Sequence, residues 1–111
     1  MGTRIDHTLA NINILMQPLK KNIECKIINE NNEIQLIEKG IEIKKDDNYK
    51  YVSLLPLTTT VEKVTLKGFK YSLDKADLKI GESIGVSNEQ IEEFATIDME
   101  KGILILIRSK D

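Results

Sequence analysis

The chain has no tryptophan, one cysteine, one histidine and two prolines, and each scarcity removes a class of answer. Cys25 has no second thiol with which to close an intramolecular disulfide. Its place in the alternation Ile23, Cys25, Ile27 predicts a buried, inert thiol. His7 is far in sequence from Cys25, so a Cys/His nucleophile pair with an orienting third group is not in evidence. One His and one Cys also fall short of a zinc site unless carboxylates fill the remaining positions. Asp46-Asp47-Asn48 has the composition of a cation-binding turn but lacks the long loop with a closing glutamate, and reads as a plain turn. Gly81-Glu82-Ser83-Ile84-Gly85 is followed by no Lys-Ser or Lys-Thr and opens no long helix, so it is not a phosphate loop.

Long apolar runs are missing as well. No stretch reaches the ~18–20 residues that cross a bilayer, and no apolar core of signal-peptide type follows Arg4. A cytoplasmic location is expected, or the virion if the chain is phage-encoded. An excess of one charge is absent too: 16 basic against 18 acidic side chains leave a net charge of −2. Nucleic acid is therefore not an expected partner. No residue is nominated as catalytic, cofactor-binding or metal-ligating, and no cofactor is expected.

What the chain does have is aliphatic patterning. Phe94 to Met99 alternates, with Ala95, Ile97 and Met99 on one side. Ile103-Leu104-Ile105-Leu106-Ile107 is apolar on both faces, which predicts a strand covered on both sides. Glu100-Lys101-Gly102 between them suits a hairpin loop closed by a left-handed glycine. Upstream, strands are expected over Ile23–Ile28, Glu33–Glu38, Ile41–Lys44 and Tyr49–Leu55, with turns at Asn29–Asn32 and Asp46–Asn48. Pro56 ends a strand or puts it on an edge. Val61 to Leu73 changes phase at Gly68, by a bulge or a tight turn. Asp74–Asp77 reads as a turn, and Leu78, Ile80, Ile84 and Val86 as a further strand. Ser87 with Gln90 fits a capping box that opens a short helix to about Glu93.

The first twenty residues are ambiguous. Ile5, Leu9, Ile12, Met16 and Leu19 recur at helical spacing, with Thr3 as a candidate cap and Pro18 as a stop, whereas Ala10, Ile12, Ile14 and Met16 alternate like a strand. Helix is the preferred reading. Together these elements predict one mainly β domain over residues 1–111: an antiparallel β-sandwich or small barrel of about seven or eight strands. It has an N-terminal helical segment and one short helix before the C-terminal hairpin. Residues 1–20 would be a docking or oligomerisation segment and 21–111 the β core.

Charge distribution rises above this background. Gly81 to Glu100 contains six acidic residues and no basic one, while Tyr49 to Lys70 is lysine-rich. Complementary surfaces of this kind suit a head-to-tail contact. The candidate interface is therefore Ile5, Leu9, Ile12, Met16 and Leu19, with Lys63, Lys67 and Lys70 facing Glu89, Glu92 and Glu93. The stretch Leu78 to Val86, with Gly102-Ile103-Leu104-Ile105, resembles swapped-hairpin transcription factors of the AbrB type. Those proteins carry a basic DNA face, and here the matching region is acidic. The final Gly-Ile-Leu-Ile-Leu-Ile is similar to small heat-shock proteins over about a dozen residues only.

The expected role is non-enzymatic: an assembly or binding module acting through protein surfaces, as a homo-oligomer or with another protein. A phage-encoded accessory protein, structural or inhibiting a host factor, is the particular form expected. A swapped-hairpin, DNA-associated regulator is the alternative, and a small-ligand or nucleotide-binding protein comes third.

Overall fold

The computed structural model describes the backbone of residues 5–110 and the side chains of residues 10–110. Two helices, α1 (Ile5–Ile14) and α2 (Met16–Lys20), precede eight strands. These are β1 (Lys26–Ile28), β2 (Asn32–Ile37), β3 (Ile41–Lys44), β4 (Tyr51–Pro56), β5 (Thr60–Lys67), β6 (Leu73–Lys79), β7 (Phe94–Asp98) and β8 (Leu104–Ser109). They form two four-stranded antiparallel sheets, ordered β1-β2-β8-β4 and β3-β7-β5-β6. The antiparallel sandwich expected from the alternation is thus the fold.

Between the sheets lies one core, to which Val61, Val64, Leu66, Ile97, Leu104 and Leu106 each contribute fully buried side chains. Strand β8 explains its own composition. Leu104 and Leu106 point into that core, while Ile103, Ile105 and Ile107 are half-buried beneath the helices. The helices lie on the outer face of the first sheet, where Ile12 and Leu15 pack on Ile34 and Leu36 of β2. The helical period therefore prevails over the strand-like alternation. The chain breaks at Leu15 rather than before Pro18, because proline in the first turn of α2 forfeits no intrahelical bond. Asn22, at φ 57°, closes α2: its N–H and that of Ile23 donate to the carbonyls of Leu19 and Pro18. Thr3 and the side chains of Ile5, His7 and Leu9 lie outside the described residues.

Several local expectations differ from the structure. β7 and β8 are strands, but they form no hairpin. β7 pairs with β3 and β5, and β8 pairs with β2 and β4. Residues 99–103 instead arch from one sheet to the other, so that Ala95 and Ile97 enter the core from one side and Leu104 and Leu106 from the other. Gly102 does hold a left-handed φ of 108°, and a Cβ there would meet the Thr60 carbonyl at 2.7 Å. Gly68 ends β5 instead of bulging it. The irregularities of the β5–β6 pair fall at Lys63 and Lys75, both at positive φ. Their N–H groups donate to the side chains of Asp77 and Thr65. Asp74–Asp77 is part of β6 and not a turn. Cys25 is exposed, because β1 begins only at Lys26. The expected strand through Ile80–Val86 and helix after Ser87 are both replaced by an irregular segment.

Candidate functional site

Residues 80–93 join β6 to β7 without a named strand or helix, a length of irregular chain that in a small domain usually signals function. The segment is nevertheless firmly held. On one side it docks along the free edge of β4: Val52 and Asn88 exchange main-chain bonds at 2.8 and 2.9 Å, and Leu54 N–H donates to the Gly85 carbonyl at 2.8 Å. Ser87 N–H donates to the Ser53 hydroxyl at 2.9 Å. The approach at Gly85 is so close that a Cβ would lie 2.5 Å from the Leu54 carbonyl oxygen. Residues 85–88 therefore cover the β4 edge as a short extra strand would.

On its other side the segment meets the chain leaving β5. Lys70 N–H donates to the Glu89 carbonyl, and Ile91 N–H to that of Gly68. Asn88 is 6% exposed, and its carboxamide satisfies the main chain of Tyr71 in both senses. Its Oδ1 accepts from Tyr71 N–H at 3.0 Å and its Nδ2 donates to Tyr71 C=O at 2.7 Å. Gln90 is 9% exposed, with its Nε2 within reach of the carbonyls of Ile43, Glu92 and Glu93. Among the described residues these are the two buried polar side chains. Both serve to fix this one segment. The Gln90 that reads as a capping-box partner in the sequence is in fact an anchor that holds residues 88–93 in a non-helical course.

The anchored backbone displays an apolar and acidic surface. Of nine large apolar residues left exposed among the described ones, six lie on or beside this segment: Tyr71, Ile80, Ile84, Val86, Ile91 and Phe94. Such concentration marks a binding surface more often than an accident of packing. Glu82, Glu89, Glu92 and Glu93 stand among them. Lys70 is the nearby base, 3.6 Å from the Glu89 carboxylate and 5.5 Å from the Tyr71 ring centre. The Tyr71 face thus already accommodates a cation. A groove of about 380 Å³ runs beside Glu89–Ile91, walled by Tyr49 and Asp46 of the β3–β4 turn and by Arg108. A larger one, about 880 Å³, follows β3 on the other side of that turn, with acidic and basic side chains mixed along it. Among the described residues no three potential metal ligands gather.

The residues nominated as an interface are placed as follows. Ile12 is buried on the chain's own first sheet, with Met16 and Leu19 packed against the same cluster. Lys63 pairs with Glu100 at 3.4 Å and Lys70 with Glu89, so the lysine-rich and acidic stretches meet within one molecule. Lys67, Glu92 and Glu93 are exposed.

Residues 38–104, which include every element of the anchored segment, match the family described as thiamin pyrophosphokinase, vitamin B1 binding domain. The chain belongs to this family. Thiamine pyrophosphokinase of Bacillus subtilis is 40% identical over 99% of this chain and 52% of its own length. A crystal structure of the Bacillus subtilis enzyme superposes with a TM-score of 0.95 at 39% identity, covering all of this chain and 52% of that one. That of Geobacillus thermodenitrificans gives 0.88 at 34% identity, with 100% and 51% covered. The chain therefore spans about half the length of the relatives it matches. These findings correct the functional expectation: a phage accessory module, a DNA regulator and a role apart from any enzyme all give way to a family named for an enzyme. The virion location has nothing to support it. Among the described residues no helix is long and apolar enough to cross a membrane.

Proposed function

We propose that this chain is the thiamine-binding part of a cytoplasmic thiamine pyrophosphokinase, and that the vitamin binds where Gly68–Ser72 meets the segment 80–93. The family match over residues 38–104 carries the reading, and the character of the surface supports it. Thiamine pairs a permanently cationic thiazolium with a flat aminopyrimidine. A cation of that shape suits an aromatic face flanked by carboxylates in a partly apolar setting, which is what Tyr71, Glu89, Glu92 and Ile91 offer. Asn88 and Gln90 would act as positioning residues, since they hold the backbone that presents these groups and are themselves buried.

The reaction named by the relatives moves a pyrophosphoryl group onto thiamine. This chain carries no glycine-rich phosphate loop, so nucleotide binding would fall to residues outside it. Its own part would be to hold the thiamine hydroxyl in one orientation, which converts a bimolecular encounter into a positioned transfer. Assembly as a homo-oligomer belongs to the same reading.

Calorimetric titration of the chain with thiamine tests the proposal. Saturable binding is expected, weakened roughly tenfold, or about 1.4 kcal/mol, by Glu89→Gln. Tyr71→Ala should cost a similar amount, because the ring face is lost. Equal affinity in wild type and both variants would contradict the placement.

A further inference from the structure

Lys70 lies where the chain leaving β5 meets the anchored segment, and the pairing there fixes its surroundings. Phe69 and Gln90 form an antiparallel bridge, which sets Lys70 directly opposite Glu89. The Lys70 N–H donates to the Glu89 carbonyl at 2.8 Å. Directly opposed residues of an antiparallel pair put their side chains on one face, within reach of each other. The Lys70 ammonium accordingly stands 3.6 Å from Glu89 Oε2, and it is also 5.5 Å from the centre of the Tyr71 ring. Lys50 stands in a similar way over the Tyr51 ring, at 5.2 Å, but there no carboxylate is paired with it among the described residues. Within that set, a ring and a carboxylate share one ammonium only at Lys70. The contact is open to water, with 53% of the Lys70 side chain and 33% of that of Glu89 exposed, so the ammonium is free to leave.

We infer that Lys70 is a resident stand-in for the ligand's cation: its ammonium holds the place between Glu89 and Tyr71 and is displaced by the thiazolium when the vitamin binds. The inference rests on thiamine binding where Gly68–Ser72 meets the segment 80–93. One positive charge then replaces another, so Glu89 keeps a cationic partner before and after binding. The contact also keeps the Glu89 carboxylate beside the ring, where the incoming cation would meet it. The cost is competition. Apparent affinity equals the intrinsic affinity multiplied by the fraction of molecules in which Lys70 has swung away. An exposed ion pair and an exposed cation–ring contact are each weak, so the block is partial. If Lys70 holds the site about two-thirds of the time, apparent affinity lies about threefold below intrinsic. Lys70 in this role is a gate on the vitamin site and contributes no contact to the bound ligand.

Lys70 is exposed and its N–H is held whatever its side chain, so substitutions there spare the fold. The test titrates wild type, K70M and K70R with thiamine, the wild type carrying carbon-13 at its lysine ε-carbons. In the free protein one ε-methylene signal, absent from K70M, should be moved upfield by the Tyr71 ring. Saturation with thiamine should return it to the position of the freely exposed lysines. By calorimetry K70M should bind about threefold more tightly than wild type. K70R should bind at about half the wild-type affinity or less, because a guanidinium stacks on rings and grips a carboxylate at two points. Thiamine that saturates the chain without moving the Lys70 signal overturns the inference and leaves the placement of the vitamin standing. So does a K70M protein that binds no more tightly than wild type, or a K70R protein equal to it, since simple repulsion of like charges does not distinguish arginine from lysine. Thiamine that saturates neither wild type nor K70M overturns both the inference and the placement.

Discussion

Strands β4 and β3 are both sheet edges, and the chain treats them in opposite ways. The β4 edge is covered: residues 85–88 bond to it through main chain, and a glycine permits the close approach. Among the described residues the β3 edge is open save for one arginine contact. A covered edge spends its hydrogen bonds on fixing a loop, which can then present groups to a small molecule with little entropy left to lose. An open edge keeps its bonds for another strand. The difference between the two edges thus lies in backbone satisfaction more than in side-chain chemistry.

The largest effect should come from releasing the covered edge. Asn88→Ala strips partners from the Tyr71 main chain and from Glu89 N–H, and should destabilise the fold by about 2–4 kcal/mol in chemical denaturation. Gly85→Ala forces the loop off β4 through a single methyl group and should cost about 1–3 kcal/mol, with faster amide exchange at Leu54. Gly102→Val, in the arch between the sheets, should cost more than ~1 kcal/mol on account of its left-handed φ and the nearby Thr60 carbonyl. If Asn88→Ala proved as mild as an exposed substitution on β3, the contrast between the two edges would collapse.

The smallest effect is expected at the far edge of the first sheet. A 2.9 Å bond to Glu33 raises the Lys26 pKa above its ordinary 10.5, against a smaller lowering by burial. A raised folded-state value stabilises below the unfolded pKa and is lost as pH climbs through the folded one. The melting-temperature advantage of wild type over Lys26→Met should therefore hold to about pH 10 and shrink above it.

How much of this was legible in the sequence divides along the same contrast. Alternation located β2, β3, β4, β7 and β8, because each buries one or both faces of regular chain. The two-faced apolarity of Ile103–Ile107 correctly implied a layer on each side. Alternation cannot name a strand's partner, however. The short link at Glu100–Gly102 suggested a hairpin, whereas the need to face Ile97 and Leu106 across one core made an arch. The anchored segment was the least legible. Ile80, Ile84 and Val86 look like core residues in a string of letters, and Ser87 with Gln90 looks like a helix start. Only the packed structure shows that those apolar residues are exposed and that Gln90 is bonded to carbonyls of β3 and of its own loop. The signal that is present, a run of acidic residues with no base, suggests a docking face for protein; with the family match in hand, a cationic vitamin is the ligand proposed for it.

The central claim is that thiamine binds on the segment anchored to β4. Residue-resolved amide chemical shifts of the chain, recorded during titration with thiamine, test it most directly. The largest changes should fall in residues 68–72 and 83–92, saturate together, and leave the outward-facing β3 amides of Glu42 and Lys44 unmoved. Changes confined to the groove along β3, or no saturable change at all, would contradict the account.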